Sequence, residues 1–264
     1  MKIWSVSNQK GGVGKTTSVI TMGGLLSSWG YRTLLVDLDP HGSLSSYFKH
    51  NPDNIDASVY NLFHNASCKV KSYDPRPYIS ETEFPELFIL PASTAIATLD
   101  RQVASLGGMG LVISHALEEV ADEYDYVIID SPPMLGVLMI NALASCEYLV
   151  VPVVTEFLAL QGLDRMIRTI QMVFKSRAVP PGYKILPTMV DKRTKTAIKC
   201  LDVLRKKYPK NVWDSFVPVD TKLREASSIG VPASIYDPTS RAVAQYSNLL
   251  DTLLEEGKQK ANFK

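Results

Sequence analysis

A chain of 264 residues with 45% hydrophobic side chains has ample material for a core, and no Gly/Ser- or Pro-rich linker divides it, so one domain over 1–264 is expected. Its 28 basic and 27 acidic residues leave a net charge of +1, which excludes a protein that coats nucleic acid by bulk charge; any DNA contact must be a local patch. Cys68, Cys146 and Cys200 lack CxxC spacing, which argues against a zinc site or a disulfide framework, and the absence of a signal peptide or a membrane-length apolar run points to a reduced, cytoplasmic protein.

The first predicted element is a strand at 3–7, followed by KGGVGKTT at 10–17 and a helix over 15–28. Strand, glycine loop, lysine and helix in this order form a phosphate cradle. Backbone N–H groups of Gly11, Gly12, Val13, Gly14 and Lys15 can curl around an anion, and the positive end of the helix points at it. Lys15 adds a full charge, Thr16 offers a hydroxyl to Mg2+, and Thr17 completes the motif. A standard loop of this type carries glycine five residues before Gly14; this chain has Gln9 there, followed by a second lysine, Lys10.

A strand at 33–38 runs into DLDPHGS, where Asp37 and Asp39 lie two apart and hence on one side of the pleat, with Pro40 stiffening the chain after them. Residues 49–86 break the rhythm with a polar, proline-containing stretch around one short helix, SVYNLF. They read as an insertion, a partner-facing surface or an ordinary long connection. After a strand at 87–90, the cluster Gly107, Gly108 and Gly110 lacks a lysine and a preceding strand, so it reads as a helix-initiating loop. Helices at 109–122, 137–145, 160–175, 195–207, 221–228 and 239–256 then alternate with strands at 126–129, 148–154, 184–190 and about 213–219. This alternation predicts a three-layer α/β fold: a mostly parallel, twisted sheet flanked by helices, with ligands at the carboxyl ends of the strands. Lys15, Asp39 and Asp130 all fall at such ends.

QKGGVGKTT resembles the deviant Walker A loop of the ParA/MinD superfamily of P-loop ATPases. TLLVDLDPHGS (33–43) resembles its second acidic motif, YVIIDSPP (126–133) its Walker B strand, and VPVDTKLREASSIGVPASIYDP (217–238) its late nucleotide-side loop and helix. The match in order and spacing spans nearly the whole chain. It implies a P-loop NTPase that binds ATP and Mg2+ and hydrolyses ATP slowly until a partner stimulates it. Asp130 would hold Mg2+, and Asp39 would orient the attacking water. Asp37 would be the Mg2+-side carboxylate, or would only cap a neighbouring turn. Lys10 would reach across a two-fold interface to the phosphates of the other subunit, with Gly11 and Gly12 allowing close approach, giving an ATP-dependent homodimer. No GTPase-type NKxD follows a strand, so adenine is expected; TMVDKR (188–193) and Pro218 sit where the family places base-side loops.

Members of the superfamily differ in what the dimer binds. Lys192, Arg193, Lys195, Lys199, Arg205, Lys206, Lys207 and Lys210 suggest a non-specific DNA patch, or simply the exposed face of a helix whose apolar side is Ala197, Leu201 and Leu204. DNA-binding members usually carry arginine where this chain has Val219. The C-terminal leucines have acidic neighbours, so that helix is expected to dock on the core, with no stable membrane insertion. Cys146 and Cys200 do not match the pattern of an iron–sulfur reductase on this scaffold. DPHGS followed by SYF resembles the ParC branch, which positions chemotaxis arrays at the cell pole; the alternative is a chromosome or plasmid partition ATPase, and less so a flagellar or membrane-site regulator. Expected partners are an activating or cargo adaptor protein and a polar anchor, with polar or nucleoid-associated localisation.

Overall fold

The computed structural model describes residues 1–70, 72–98 and 108–261, with side chains through Gly257. In chain order the elements are β1 (Lys2–Val6), α1 (Lys15–Ser28), β2 (Thr33–Asp37), α2 (Ser43–Tyr47), α3 (Val59–Ser67), β3 (Ser80–Glu81), β4 (Leu87–Leu90), α4 (Val112–Glu119) and β5 (Tyr126–Asp130). They continue with α5 (Val137–Ser145), β6 (Tyr148–Val154), α6 (Phe157–Phe174), β7 (Gly182–Thr188), α7 (Lys195–Lys207), α8 (Thr221–Ile229), α9 (Ala233–Tyr236) and α10 (Arg241–Ala261).

The strands form one sheet in the order β3-β4-β2-β5-β1-β6-β7, parallel throughout except for the short antiparallel edge strand β3. Alternation along each strand divides the core between the two faces. Trp4, Val6, Leu35, Ile128, Val150 and Leu186 pack against α1 and α10 on one face. Leu34, Val36, Val127 and Ile129 meet α3, α4 and α5 on the other, where Leu149, Val151 and Val153 meet α6. The expected three-layer fold is present. The register is what assembles a site: Val6 and Asp37 both lie opposite Asp130, so the last residues of β1, β2 and β5 come level at one edge of the sheet.

Several expectations need correction. Residues 213–219 form no regular strand. Trp213 N donates to the Ile185 carbonyl at 2.9 Å and Val217 N to the Pro187 carbonyl at 2.8 Å, so four residues on this segment span two on β7 and the ladder is interrupted. Within 49–86, a second stretch is ordered as edge strand β3. Elsewhere two short helices, α2 and α9, escape the periodicity argument because neither completes two turns. The helix expected at 109–122 is a 3-10 turn at Met109–Leu111 leading into α4, initiated by Gly108 at φ 86°; Gly107 lies outside the described residues. α10 starts where one carboxylate serves two helices: Asp220 caps α8 by accepting from Lys222 N at 3.0 Å, and its other oxygen accepts from Ala242 N at 3.2 Å. Leu249, Leu250 and Leu253 of α10 are buried against α1, as the docking expectation required. No helix among the described residues is long and apolar enough to cross a membrane.

Candidate functional site

The loop after β1 is hung from its surroundings by side chains. Asn8 donates to the Pro152 carbonyl at 2.7 Å and accepts from Lys10 N at 3.0 Å, while Thr188 at the end of β7 donates to the Val13 carbonyl at 2.9 Å. Gln9, which stands where a standard loop has glycine, donates to Thr169 on α6 at 3.1 Å. Gly12 (φ 72°) and Gly14 (φ 89°) adopt left-handed backbone, which explains glycine at both positions. A Cβ at Gly11 or Gly12 would meet nothing within 4 Å, so open space lies above this turn. Val13 instead turns its side chain into the core.

Below the loop the carboxylates converge. Thr16 donates to Asp130 Oδ2 at 2.6 Å, and Asp130 Oδ1 is buried without a partner. Burial pushes the Asp130 carboxyl well above its usual range, and the neighbouring Asp37 pushes it further. Asp37 is itself fully buried, and burial raises its carboxyl to about 6. Both of its oxygens are taken: Oδ1 by Asp39 N at 3.1 Å, Oδ2 by Ser45 N at 2.8 Å and Ser45 Oγ at 2.7 Å. In this structure Asp37 therefore holds the turn that carries Asp39. Lys15, 7% exposed, has its ammonium pKa lowered by burial, an effect that Asp130 and Asp39 oppose. A buried carboxylate oxygen with no donor, beside a hydroxyl, suits a hard dication that takes oxygen ligands. Among the described residues no three Asp, Glu, His or Cys side chains cluster as a metal set, so such an ion would complete its shell with phosphate oxygens and water.

Asp39 accepts hydrogen bonds at Oδ1 from His41 N at 3.1 Å and from His41 Nδ1 at 2.9 Å. Above the loop lies a cavity of about 530 Å3 lined by Gly11, Gly12, Gly14, Lys15, Thr16, Thr17 and Asp39, with Met189 and Leu223 among the residues closing it. The sequence reading thus converges on one place for most of its residues. Two stand apart. Lys10 is outside the lining, its ammonium 3.1 Å from Glu156 Oε2. Pro218 does not line this cavity either; the interrupted pairing of 213–219 with β7 puts it in a neighbouring groove of about 770 Å3 with Lys192, Arg193, Phe216 and Val219. Met189 approaches Gly14 instead, and its positive φ of 52° is a tertiary feature with no local signature. In the sequence His41 figures only as part of DPHGS; its contact with Asp39 depends on a turn.

A family model described as an AAA domain, AAA_31, matches residues 1–179. The chain is 34% identical over 257 residues to the sporulation initiation inhibitor protein Soj of Bacillus subtilis, covering 97% of this chain and 99% of Soj. It is 34% identical over 263 residues to the chromosome partitioning protein ParA of Myxococcus xanthus, covering 98% and 90%. Among solved structures, cobyrinic acid a,c-diamide synthase from Mycobacterium smegmatis, with a bound ATP analogue and magnesium, superposes with a TM-score of 0.84 at 30% identity, covering 98% and 96%. Apo McdA from Cyanothece shares the fold with a TM-score of 0.82 at 20% identity, covering 95% and 99%.

Proposed function

This chain belongs to the ParA/MinD-type family of AAA ATPases and is a ParA/Soj-like partitioning ATPase; on that premise we propose that it is a dimerising switch that binds Mg2+ and ATP, hydrolyses ATP to ADP and phosphate, and distributes cargo by cycling on and off nucleoid DNA. The observation that carries this reading is the meeting of the glycine cradle, buried Lys15 and the Asp39 carboxylate in one cavity, with the Thr16–Asp130 pair beneath it. Lys15 neutralises phosphate charge, the backbone N–H groups from Gly11 to Lys15 hold the phosphate oxygens, and Asp39 orients the attacking water. Thr16 and Asp130 would hold Mg2+, which supplies charge neutralisation on the phosphates.

The rim supports a second copy as partner. Lys10 needs only to leave an exposed ion pair with Glu156 to become available to another subunit's phosphates, and such pairs contribute about 0–1 kcal/mol. Beside it Phe157 and Leu158 are 68% and 71% exposed, and Met134 is 76% exposed just past the cavity residue Pro133. An apolar rim of this kind is covered when two cavities close on each other. Lys10→Ala should therefore bind ATP normally yet stay monomeric in light scattering; a Lys10→Ala dimer formed with ATP at the wild-type protein concentration would exclude the cross-subunit role.

For the cargo, two details favour DNA. Lys195, Lys199 and Lys206 are exposed on α7 and make no ion pair among the described residues, whereas Arg193 is bound to Asp191 and Lys207 to Asp164. Two residues of the motif that resembled the chemotaxis branch make local contacts: Tyr47 donates to the Val231 carbonyl at 2.7 Å, and Phe48 packs on Tyr47 and Phe84. Those residues have local structural work, which weakens them as a cargo signature; His41, which remains exposed, keeps array positioning as the second reading. Sedimentation of the ATP-bound protein with non-specific DNA across a salt series tests the first reading. Binding should fall steeply with salt and disappear in Lys199→Glu/Lys206→Glu. In a deletion strain, chromosome or plasmid loss supports partition; misplaced chemotaxis arrays with normal segregation transfers the assignment to the second reading.

A further inference from the structure

We propose that His41 is a positioning residue for hydrolysis: its imidazole N–H fixes one oxygen of the Asp39 carboxylate and so leaves the other, Oδ2, aimed at the attacking water. The inference rests on the reading of Asp39 as the residue that orients that water, and adds to it a residue from the same turn.

The turn is rigid for reasons independent of its function. Pro40 fixes the backbone after Asp39, and the Gly42 N–H closes the turn onto the Asp39 carbonyl at 2.8 Å. Gly42 sits at φ 58°, where a Cβ would fall 2.5 Å from Pro52 Cβ, so the turn is seated on Pro52 with no room to shift. Asp37 anchors the other side by accepting from Asp39 N. The Cα of His41 is thereby fixed, and its ring folds back over the carboxylate.

His41 is 81% exposed in its side chain, so packing does not hold the ring in place, whereas Asp39 is only 15% exposed. Both contacts from His41, backbone N and Nδ1, go to the same oxygen, Oδ1. Among the described residues Oδ2 has no hydrogen-bond partner, although Asp39 lines the cavity above Lys15 and Thr16. Because a carboxylate only accepts, Nδ1 carries the proton in this contact and Nε2 faces outward. A carboxylate with one oxygen held twice and the other open presents a single acceptor in a set direction, which is what an oriented nucleophilic water requires. With the ring N–H removed, Asp39 keeps its charge and one backbone hydrogen bond to Oδ1 but is held less firmly about its last torsion, so the loss should fall on turnover and leave ground-state binding of nucleotide unchanged.

The test is steady-state ATP hydrolysis over a range of ATP concentrations, together with titration of a fluorescent ATP analogue, on wild type, His41→Leu, His41→Asn and Asp39→Ala. Leucine removes the donor; asparagine can place an amide N–H near the Nδ1 position. The expected result is a kcat about tenfold lower in His41→Leu with KM within about twofold of wild type, recovery of most of kcat in His41→Asn, and no further loss when His41→Leu is added to Asp39→Ala. Wild-type turnover in His41→Leu while Asp39→Ala is inactive would overturn the proposal and leave the reading of Asp39 standing. Wild-type turnover in Asp39→Ala would remove that reading itself. Equal loss in the leucine and asparagine variants, or a rise in KM without a fall in kcat, would also overturn the proposal, because the ring would then act other than by donating a hydrogen bond to the carboxylate.

Discussion

Ser45→Ala should destabilise the protein by about 2.5 to 6 kcal/mol at pH 8, a large share of the roughly 5–15 kcal/mol that holds a typical domain folded. The Ser45 hydroxyl donates to the buried Asp37 Oδ2 at 2.7 Å and accepts from the buried Ala92 N–H at 2.8 Å. The first is a hydrogen bond to a charged group, worth about 1.5–3 kcal/mol; removing its partner also leaves the Ala92 N–H buried and unpaired, at about 1–3 kcal/mol. The Ser45 backbone N–H still reaches Asp37, which sets the lower end of the range. The assay is urea unfolding followed by tryptophan fluorescence, with the slope on denaturant unchanged between variant and wild type. Because burial raises the Asp37 carboxyl to about 6, the group is largely protonated at pH 5, and the charge-assisted part of the loss should shrink there. A loss below about 1 kcal/mol at pH 8, or an equal loss at pH 5 and pH 8, would refute the argument that Ser45 supports an ionised, buried carboxylate.

Between pH 4 and pH 7 the nucleotide-free protein should lose stability through Asp37 as pH rises. Its folded carboxyl, raised to about 6, keeps its proton longer than the unfolded one, so stability present below the unfolded value is lost as pH passes through the folded one. Asp37→Asn should flatten this part of the melting-temperature profile, while His50, whose lowered pKa acts in the opposite sense, contributes equally to both proteins; identical slopes would contradict the assignment. Lys15→Ala should weaken ATP binding by about two orders of magnitude, since a buried cation facing the phosphates is worth roughly 2–5 kcal/mol, and isothermal titration would expose unchanged affinity. Tyr246→Phe removes the 2.8 Å hydrogen bond to Ser18 and should cost about 1 kcal/mol in unfolding experiments, because Ser18 retains the Gly14 carbonyl as acceptor; a cost above about 3 kcal/mol would mean that the ring had lost its packing as well.

What could be read from the sequence was whatever is encoded locally. KGGVGKTT declares its backbone through its glycines, and YVIID places Asp130 at a strand end because it closes an unbroken apolar run. Long helices such as α1 and α7 follow from apolar spacing, and their bounds match expectation. Contacts that depend on which strands become neighbours were not legible. That Asp37 stands beside Asp130 follows from the pairing of β2 with β5, and that Ser45 supports Asp37 follows from a helix too short to show a period. The segment 213–219 misled because it is rich in apolar residues, whereas the extra residues that interrupt its pairing with β7 become visible only when the two lie side by side. Glu156 beside Lys10 belongs to the same class, since their sequence separation is 146 residues.

The hydrogen bond between Ser18 and Tyr246 spans 228 positions, and it is surrounded by the packing of Val19, Met22 and Leu26 against Leu249, Leu250 and Leu253. During synthesis the glycine loop emerges more than 200 residues before α10, so the apolar face of the helix behind it stays uncovered until α10 has left the ribosome. A nascent chain halted before Tyr246 would carry a complete phosphate-binding motif on an uncovered helix. The helix that follows the phosphate loop is thus packed on one face only when the C-terminal helix is present, so the loop's support depends on residues from both ends of the fold.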